Sequence, residues 1–196
     1  MGMKRTIMLL MVMAATLILA SGVALAVVRS GGPGDDTLRG TNGADALSGN
    51  GGADDLLGLG GRDALSGGEG RDAVLGGNEV GPKGGDKSLA GGPGGDFVGG
   101  GRGEDALSGG PGDDFLQAGT LREQEQDSIA GGDGRDAVLA SNRPASRDII
   151  DCGVGFDRAL VDKKDITSGC EREFTSARKF FRSIRGEGYF LPLNSL

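Results

Sequence analysis

A period of nine residues, carried by Gly and Asp, runs through the middle of this chain and limits what it can fold into. Residues 31–39 read GGPGDDTLR, 40–48 GTNGADALS, 49–57 GNGGADDLL, 58–66 GLGGRDALS and 67–75 GGEGRDAVL. After an irregular stretch the frame returns at 91–99 (GGPGGDFVG), 100–108 (GGRGEDALS), 109–117 (GGPGDDFLQ) and 131–139 (GGDGRDAVL), with a weaker CGVGFDRAL at 152–160. Each unit has Gly at position 1 or 2 and at position 4, Asp at 6 and an aliphatic residue at 8. Gly makes up 41 of 196 residues, and only eight residues are aromatic, so bulky side chains cannot build a conventional core over most of the length. Collagen is excluded, because Gly does not recur every third residue and Pro is scarce. The absence of His removes Ser-His-Asp and Cys-His catalysis and His-ligated zinc. Asp returning at one phase of nine separates the chain from Gly-rich disorder and leaves a repeat protein.

The unit GGxGxDxUx resembles the nonapeptide of the haemolysin-type (RTX) calcium-binding repeat family. The resemblance covers Gly31 to Leu160 and implies an all-β fold, a parallel β-roll in which two nonapeptides complete one 18-residue turn. It implies a role for calcium and assigns metal binding to Asp36, Asp45, Asp54, Asp63, Asp72, Asp96, Asp105, Asp114 and Asp136. Asp127, Asp148 and Asp157 stand at the same phase in degenerate units. Lys87 takes the Asp phase in the unit ending at Ala90, which leaves a gap in the metal row there.

Physical chemistry accounts for each position. Gly turns tolerate positive φ and expose carbonyls with no side chain in the way. The three residues after each turn suffice for a short strand, whose middle residue points inward while its neighbours point outward. The expected inward set is Leu38, Leu47, Leu56, Leu65, Val74, Leu89, Val98, Leu107, Leu116, Ile129, Val138, Ile150 and Ala159. Stacked coils bring Asp36 within about 4.8 Å of Asp54. Two charges at that distance repel by ~1 kcal/mol in water and ~3.5 kcal/mol at an effective dielectric of 20. A divalent cation between the turns reverses that sign, and calcium suits an all-oxygen, flexible ligand set best. The alternative role for these Asp is turn initiation through local hydrogen bonds.

Numbered from Gly31, the units that exceed nine residues are the sixth (76–90), tenth (118–130) and twelfth (140–151), all even. Even and odd units should occupy opposite edges of the roll. The odd edge then keeps an unbroken Asp row, while the even edge carries the loops GNEVGPKGG, AGTLREQEQ and ASNRPASR. That even edge is the expected interaction face for a cell-surface or extracellular partner.

The ends differ from the middle. Lys4 and Arg5, the apolar run Ile7–Ala20 and Ala24-Leu25-Ala26 read as a signal peptide over residues 1–26, cleaved after Ala26. The alternative is an uncleaved anchor that holds the protein at the cell surface. Residues 27–160 form the expected roll and 161–196 a cap or tail. Between Gly31 and Leu160 there are 23 acidic and 11 basic residues, against five and seven from Val161 onward. The acidic part repels nucleic acid and attracts cations; the basic tail leaves membrane-surface or polyanion contact open.

Cys152 and Cys170 are the only cysteines. The segment around them resembles the terminal segment of some secreted members of the repeat family. Export would place the pair in an oxidising compartment, where a disulfide stabilises by ~3 kcal/mol; the alternative is two free thiols. Residues 175–185 should form a short helix with Ala177, Phe181 and Ile184 on one side, covering the last open coil. The sequence GPKGGDKS at 81–88 fails as a phosphate-binding loop, since Asp86 stands where Gly must precede the Lys. The expected function is a secreted, non-catalytic, calcium-dependent structural or surface-interaction module. The alternatives are the folding and secretion module of a hydrolase or toxin, and an envelope-tethered structural protein.

Overall fold

The computed structural model describes residues 25–78, 85–86, 88–119, 125–142 and 145–185. Within them the period of nine becomes two parallel sheets of eight strands each. One sheet, A, contains β1 (Val28–Ser30), β3 (Ala46–Gly51), β5 (Ala64–Glu69), β7 (Ser88–Ala90), β9 (Ala106–Pro111), β11 (Ser128–Gly134), β13 (Ile149–Gly155) and β15 (Ile166–Ser168), in that order. The other, B, contains β2 (Thr37–Arg39), β4 (Asp55–Leu59), β6 (Ala73–Asn78), β8 (Phe97–Arg102), β10 (Phe115–Gly119), β12 (Ala137–Leu139), β14 (Arg158–Leu160) and β16 (Arg172–Phe174). The chain crosses from one sheet to the other at every turn, so the architecture is the expected all-β parallel solenoid. The registers Thr37↔Asp55 and Leu47↔Leu65 put residues 18 apart on adjacent rungs, two units per turn.

The second residue of strands β2 to β14 faces the partner sheet, as period-two alternation allows. Leu47, Leu56, Leu65, Val74, Leu89, Val98, Leu107, Leu116, Ile129, Val138, Ile150 and Ala159 are all buried in one cluster, with Leu38 partly buried at the first coil. Asn50 and Leu59 adopt φ of 80° and 86° at unit position 2, where later coils place Gly. Asn50 offsets that strain by donating from its amide to Ser30 Oγ and the Gly31 carbonyl.

The three insertions lie in the β6–β7, β10–β11 and β12–β13 connections, all of which run from sheet B to sheet A. They therefore share one edge, as the even-unit count anticipates. Residues 79–84, 120–124 and 143–144 of these loops lie outside the described residues, as does most of the segment expected to be a signal peptide. No helix among the described residues is long and apolar enough to cross a membrane.

Past Leu160, β15 and β16 extend both sheets with sequence that no longer follows the nonapeptide. Cys152 in β13 is bonded to Cys170, linking neighbouring coils. Helix α1 (Ala177–Ile184) follows. It buries Phe180 and Ile184, not the expected Ala177 and Phe181, which are exposed and half-buried. It lies against β14 and β16. Phe180 and Ile184 cluster with Phe97, Phe115, Ala137 and Leu160 on the outer side of sheet B. The reason is local: Phe97 and Phe115 replace the small or polar residues of other units at position 7, and their rings stack 5.7 Å apart. They make an apolar strip outside the roll that an amphipathic helix can cover.

Candidate metal centre

Each Asp at position 6 ends a Gly-rich turn just before a strand, so the turns stack the carboxylates in register along both edges. In the odd row the Asp36 N–H donates to Asp54 Oδ1 at 2.7 Å. The same link joins Asp54 to Asp72, Asp72 to Asp96, Asp96 to Asp114, Asp114 to Asp136 and Asp136 to Asp157, at 2.7–2.9 Å. In the even row it joins Asp45 to Asp63, Asp63 to Asp86, Asp86 to Asp105, Asp105 to Asp127 and Asp127 to Asp148, at 2.6–3.0 Å. Apart from Asp36, every one of these residues is buried. The structure thus brings all twelve sequence-predicted Asp into two rows.

It adds three residues that counting by nine misses. Asp86 fills the even row where the frame points to Lys87, which lies outside the described residues. The expected gap is therefore closed and the even row is as continuous as the odd one. The signal is present in Gly84-Gly85-Asp86, which repeats the Gly–x–Asp ending of a regular turn one residue early. Asp165 Oδ1 accepts the Asp148 N–H at 3.2 Å and Glu171 Oε2 accepts the Asp157 N–H at 2.7 Å, closing the two rows. At the other end the Val27 N–H donates to Asp45 Oδ1 at 2.7 Å.

Local turn bonding is seen towards the ends of the rows, where Asp36 and Asp45 also accept the N–H groups of Gly32 and Thr41 and Asp148 accepts from the Asn142 amide and the Ser146 hydroxyl. Further in, the second carboxylate oxygen changes character. Oδ2 of Asp54, Asp63, Asp72, Asp96, Asp114, Asp136 and Asp157 is buried with no hydrogen-bond partner. Leaving such an atom unsatisfied costs about 1–3 kcal/mol, more when it is charged. In the regular units the position-1 glycine makes room for this oxygen: a Cβ at Gly31 would lie 2.5 Å from Asp36 Oδ2 and 2.7 Å from the Gly49 carbonyl of the next coil. Carboxylate and carbonyl oxygens of successive coils thus converge at Gly31, Gly40, Gly49, Gly58, Gly109 and Gly131. Among the described residues no three acidic or Cys side chains group closely enough to hold a metal by themselves, so carbonyls must complete any shell. That donor set fits calcium, which takes six or more oxygens from side chains and backbone alike.

Burial pushes the inner carboxyls upward: Asp114 to about 8, Asp96 and Asp136 to about 7, and Asp148 to about 6. The N–H of the preceding Asp opposes that shift, and the negative charge of neighbouring carboxylates adds to it. On the surface Asp113 goes the other way, held low by Arg135 at 2.6 Å. Because the raised groups bind protons more tightly folded than unfolded, the metal-free roll loses stability as pH rises from about 4 through about 8. In chelator, strand signal by circular dichroism should therefore be stronger at pH 4.5 than at pH 8; equal spectra would contradict the burial of these groups.

Single carboxylates should differ by position. Asp54 has Asp36 below and Asp72 above, whereas Asp36 stands at the end of its row. Asp54→Ala should cost about twice as much bound calcium as Asp36→Ala, counted directly by metal analysis. Equal losses would refute the shared-layer assignment.

Residues 30–65, 48–79 and 84–120 match the sequence model of the RTX calcium-binding nonapeptide repeat (4 copies). No curated protein and no solved structure matches the chain.

Proposed function

Residues 30–120 carry RTX calcium-binding nonapeptide repeats, and from that premise we propose that the chain is exported, folds on binding several calcium ions at its Asp rows, and works as a structural surface-interaction module rather than a catalyst. The observation that carries this reading is the pair of continuous buried Asp rows, in which Oδ2 of Asp54, Asp63, Asp72, Asp96, Asp114 and Asp136 is buried with no hydrogen-bond donor. Asp54, Asp72, Asp96, Asp114 and Asp136 would hold the metal on the odd edge and Asp45 and Asp63 on the even edge, with a carbonyl of the next coil beside Asp45, Asp54, Asp63, Asp114 and Asp136. When bound, calcium supplies the positive charge that lets neighbouring carboxylates stay ionised in a buried row. The Oδ1 atoms meanwhile fix coil spacing through their N–H···O links, and the aliphatic residues at position 8 exclude water from the interior.

Three features support export. The apolar segment at the start has the charge and small-residue pattern of a cleaved signal. The Cys152–Cys170 bond suits an oxidising compartment. Cleavage after Ala26 would leave β1 whole and turn the Val27 N–H, already on Asp45 Oδ1, into an ammonium group beside a buried carboxylate.

The interaction face in this reading is the edge that carries all three insertions, since insertions confined to one face of a repeat array often mark its binding side. The even Asp row runs unbroken beneath those loops, so they can vary without interrupting the coil. Trimming the three loops to nonapeptide length should leave calcium-induced folding intact and abolish attachment of added protein to the surface of the producing cells. Attachment equal to that of the parent would remove this edge as the interaction face.

A further inference from the structure

Helix α1 concentrates positive charge on a chain that is otherwise acidic. Arg178, Arg182 and Arg185 follow each other at i, i+4 and i+7, one line along the helix, and Lys179 stands beside them. All four are exposed, and no described side chain forms an ion pair with any of them. The helix contains no acidic residue. Its opposite side is fixed, because Phe180 and Ile184 are buried against sheet B. Arg172, exposed on β16, the strand that α1 touches, adds one more cation and is held over the Phe156 ring at 5.4 Å. The acidic neighbours Glu171 and Glu173 accept hydrogen bonds from the Asp157 N–H and the Thr167 hydroxyl. The result is a rigid cationic strip of about 10 Å, rich in the guanidinium groups that pair with carboxylate, sulfate and phosphate in bidentate fashion.

We propose that this strip binds a linear acidic polysaccharide. Three observations select a thin single-chain polyanion. The apolar side of the helix is already used on sheet B, so it has nothing to insert into a bilayer. Phe181 is half-buried, which leaves the helix no aromatic platform on which nucleobases could stack. A broad anionic body such as a membrane plane or a duplex would meet the acidic roll as well as the helix, and the roll carries 23 acidic against 11 basic residues between Gly31 and Leu160. A single polymer chain can lie along the strip alone, while its repeated anions reach cations that one small anion could not span. This surface is separate from the loop-bearing edge, and its test does not depend on that edge binding anything.

The test uses the full chain in calcium, with folding verified by circular dichroism, and heparin oligosaccharides as the probe. Neutral dextran, phosphatidylglycerol vesicles and duplex DNA form the comparison arms. The parent should bind heparin in a salt-dependent way and ignore dextran. The variant R178Q/K179Q/R182Q/R185Q should keep its calcium-induced strand spectrum, bind heparin at least about tenfold more weakly, and show a log affinity–log salt slope smaller by about three. The pairwise variant R178Q/R182Q should fall between the two, and it serves as the test if the quadruple variant does not fold. The proposal is overturned if the parent does not bind heparin, if the substituted proteins bind it as the parent does, or if vesicles or DNA are bound more tightly than heparin.

Discussion

Chelating calcium from the purified chain should convert a strand-rich circular dichroism spectrum into a disordered one, and millimolar calcium should restore it. The inner coils place Asp54, Asp72, Asp96, Asp114 and Asp136 in one buried row, the backbone N–H of each donating to the carboxylate of the next. Adjacent ionised carboxylates repel by several kcal/mol at an effective dielectric of 20, and the buried, donor-free Oδ2 atoms of these five residues add a desolvation cost. The hydrophobic return is one side chain per nonapeptide, about 2 kcal/mol each, against the ordering of nine residues that include several glycines. A metal-free roll at neutral pH therefore lies on the unfolded side. The midpoint should fall near the ~10⁻⁴–10⁻³ M typical of extracellular calcium modules, and the transition should sharpen with the number of coils. The Cys152–Cys170 bond spans one coil and constrains only the C-terminal end, so it should not preserve the spectrum in chelator. A spectrum indifferent to chelation would sink the coupling of metal to fold.

The second large effect concerns one repeat position tested at two places. Gly34 and Gly112 both occupy unit position 4, and the sequence treats them alike. A Cβ at Gly34 would meet nothing within 4 Å. A Cβ at Gly112 would fall inside the van der Waals radius of the Gly94 carbonyl oxygen, and its φ of +143° is one that side chains resist. The same clash with the coil beneath recurs at Gly70, Gly94 and Gly155. Its cause is direction, because the position-4 Cβ vector points at the preceding coil, and the first coil has none below it. Gly112→Ala should destabilise by about 3 kcal/mol or more, from overpacking and backbone strain together. It should be read as a rightward shift of the calcium midpoint or a failure to fold. Gly34→Ala should leave the titration within error of the parent. Equal behaviour of the two would contradict the stacking.

Much of this architecture is legible before any coordinates, because a nonapeptide with one aliphatic residue and one Asp has few ways to bury the first and stack the second. Leu47, Val74 and Leu116 are inward, the Asp of every regular unit is in a row, and the insertions share an edge, all of which follow from counting by nine. Counting fails where the chain leaves the frame. Lys87 holds the nominal Asp phase, yet the extra residues of its unit let Asp86 take the place, since a buried backbone N–H on Asp63 needs an acceptor. Asp165 and Glu171 close the rows for the same reason, although they stand 17 and 14 residues beyond their donors, outside any nonapeptide register.

By itself, then, the order of residues determined the solenoid, its inward face and its two carboxylate edges, because those depend only on local turn chemistry repeated at a constant interval. Only the tertiary structure decided which oxygen of each Asp holds the preceding coil and which is left over, since that turns on the distance between stacked backbones. The same holds for the seat of α1. Phe97 and Phe115 are 18 residues apart and 65 or more from Phe180 and Ile184, and they become one apolar strip only after the coils have stacked side by side.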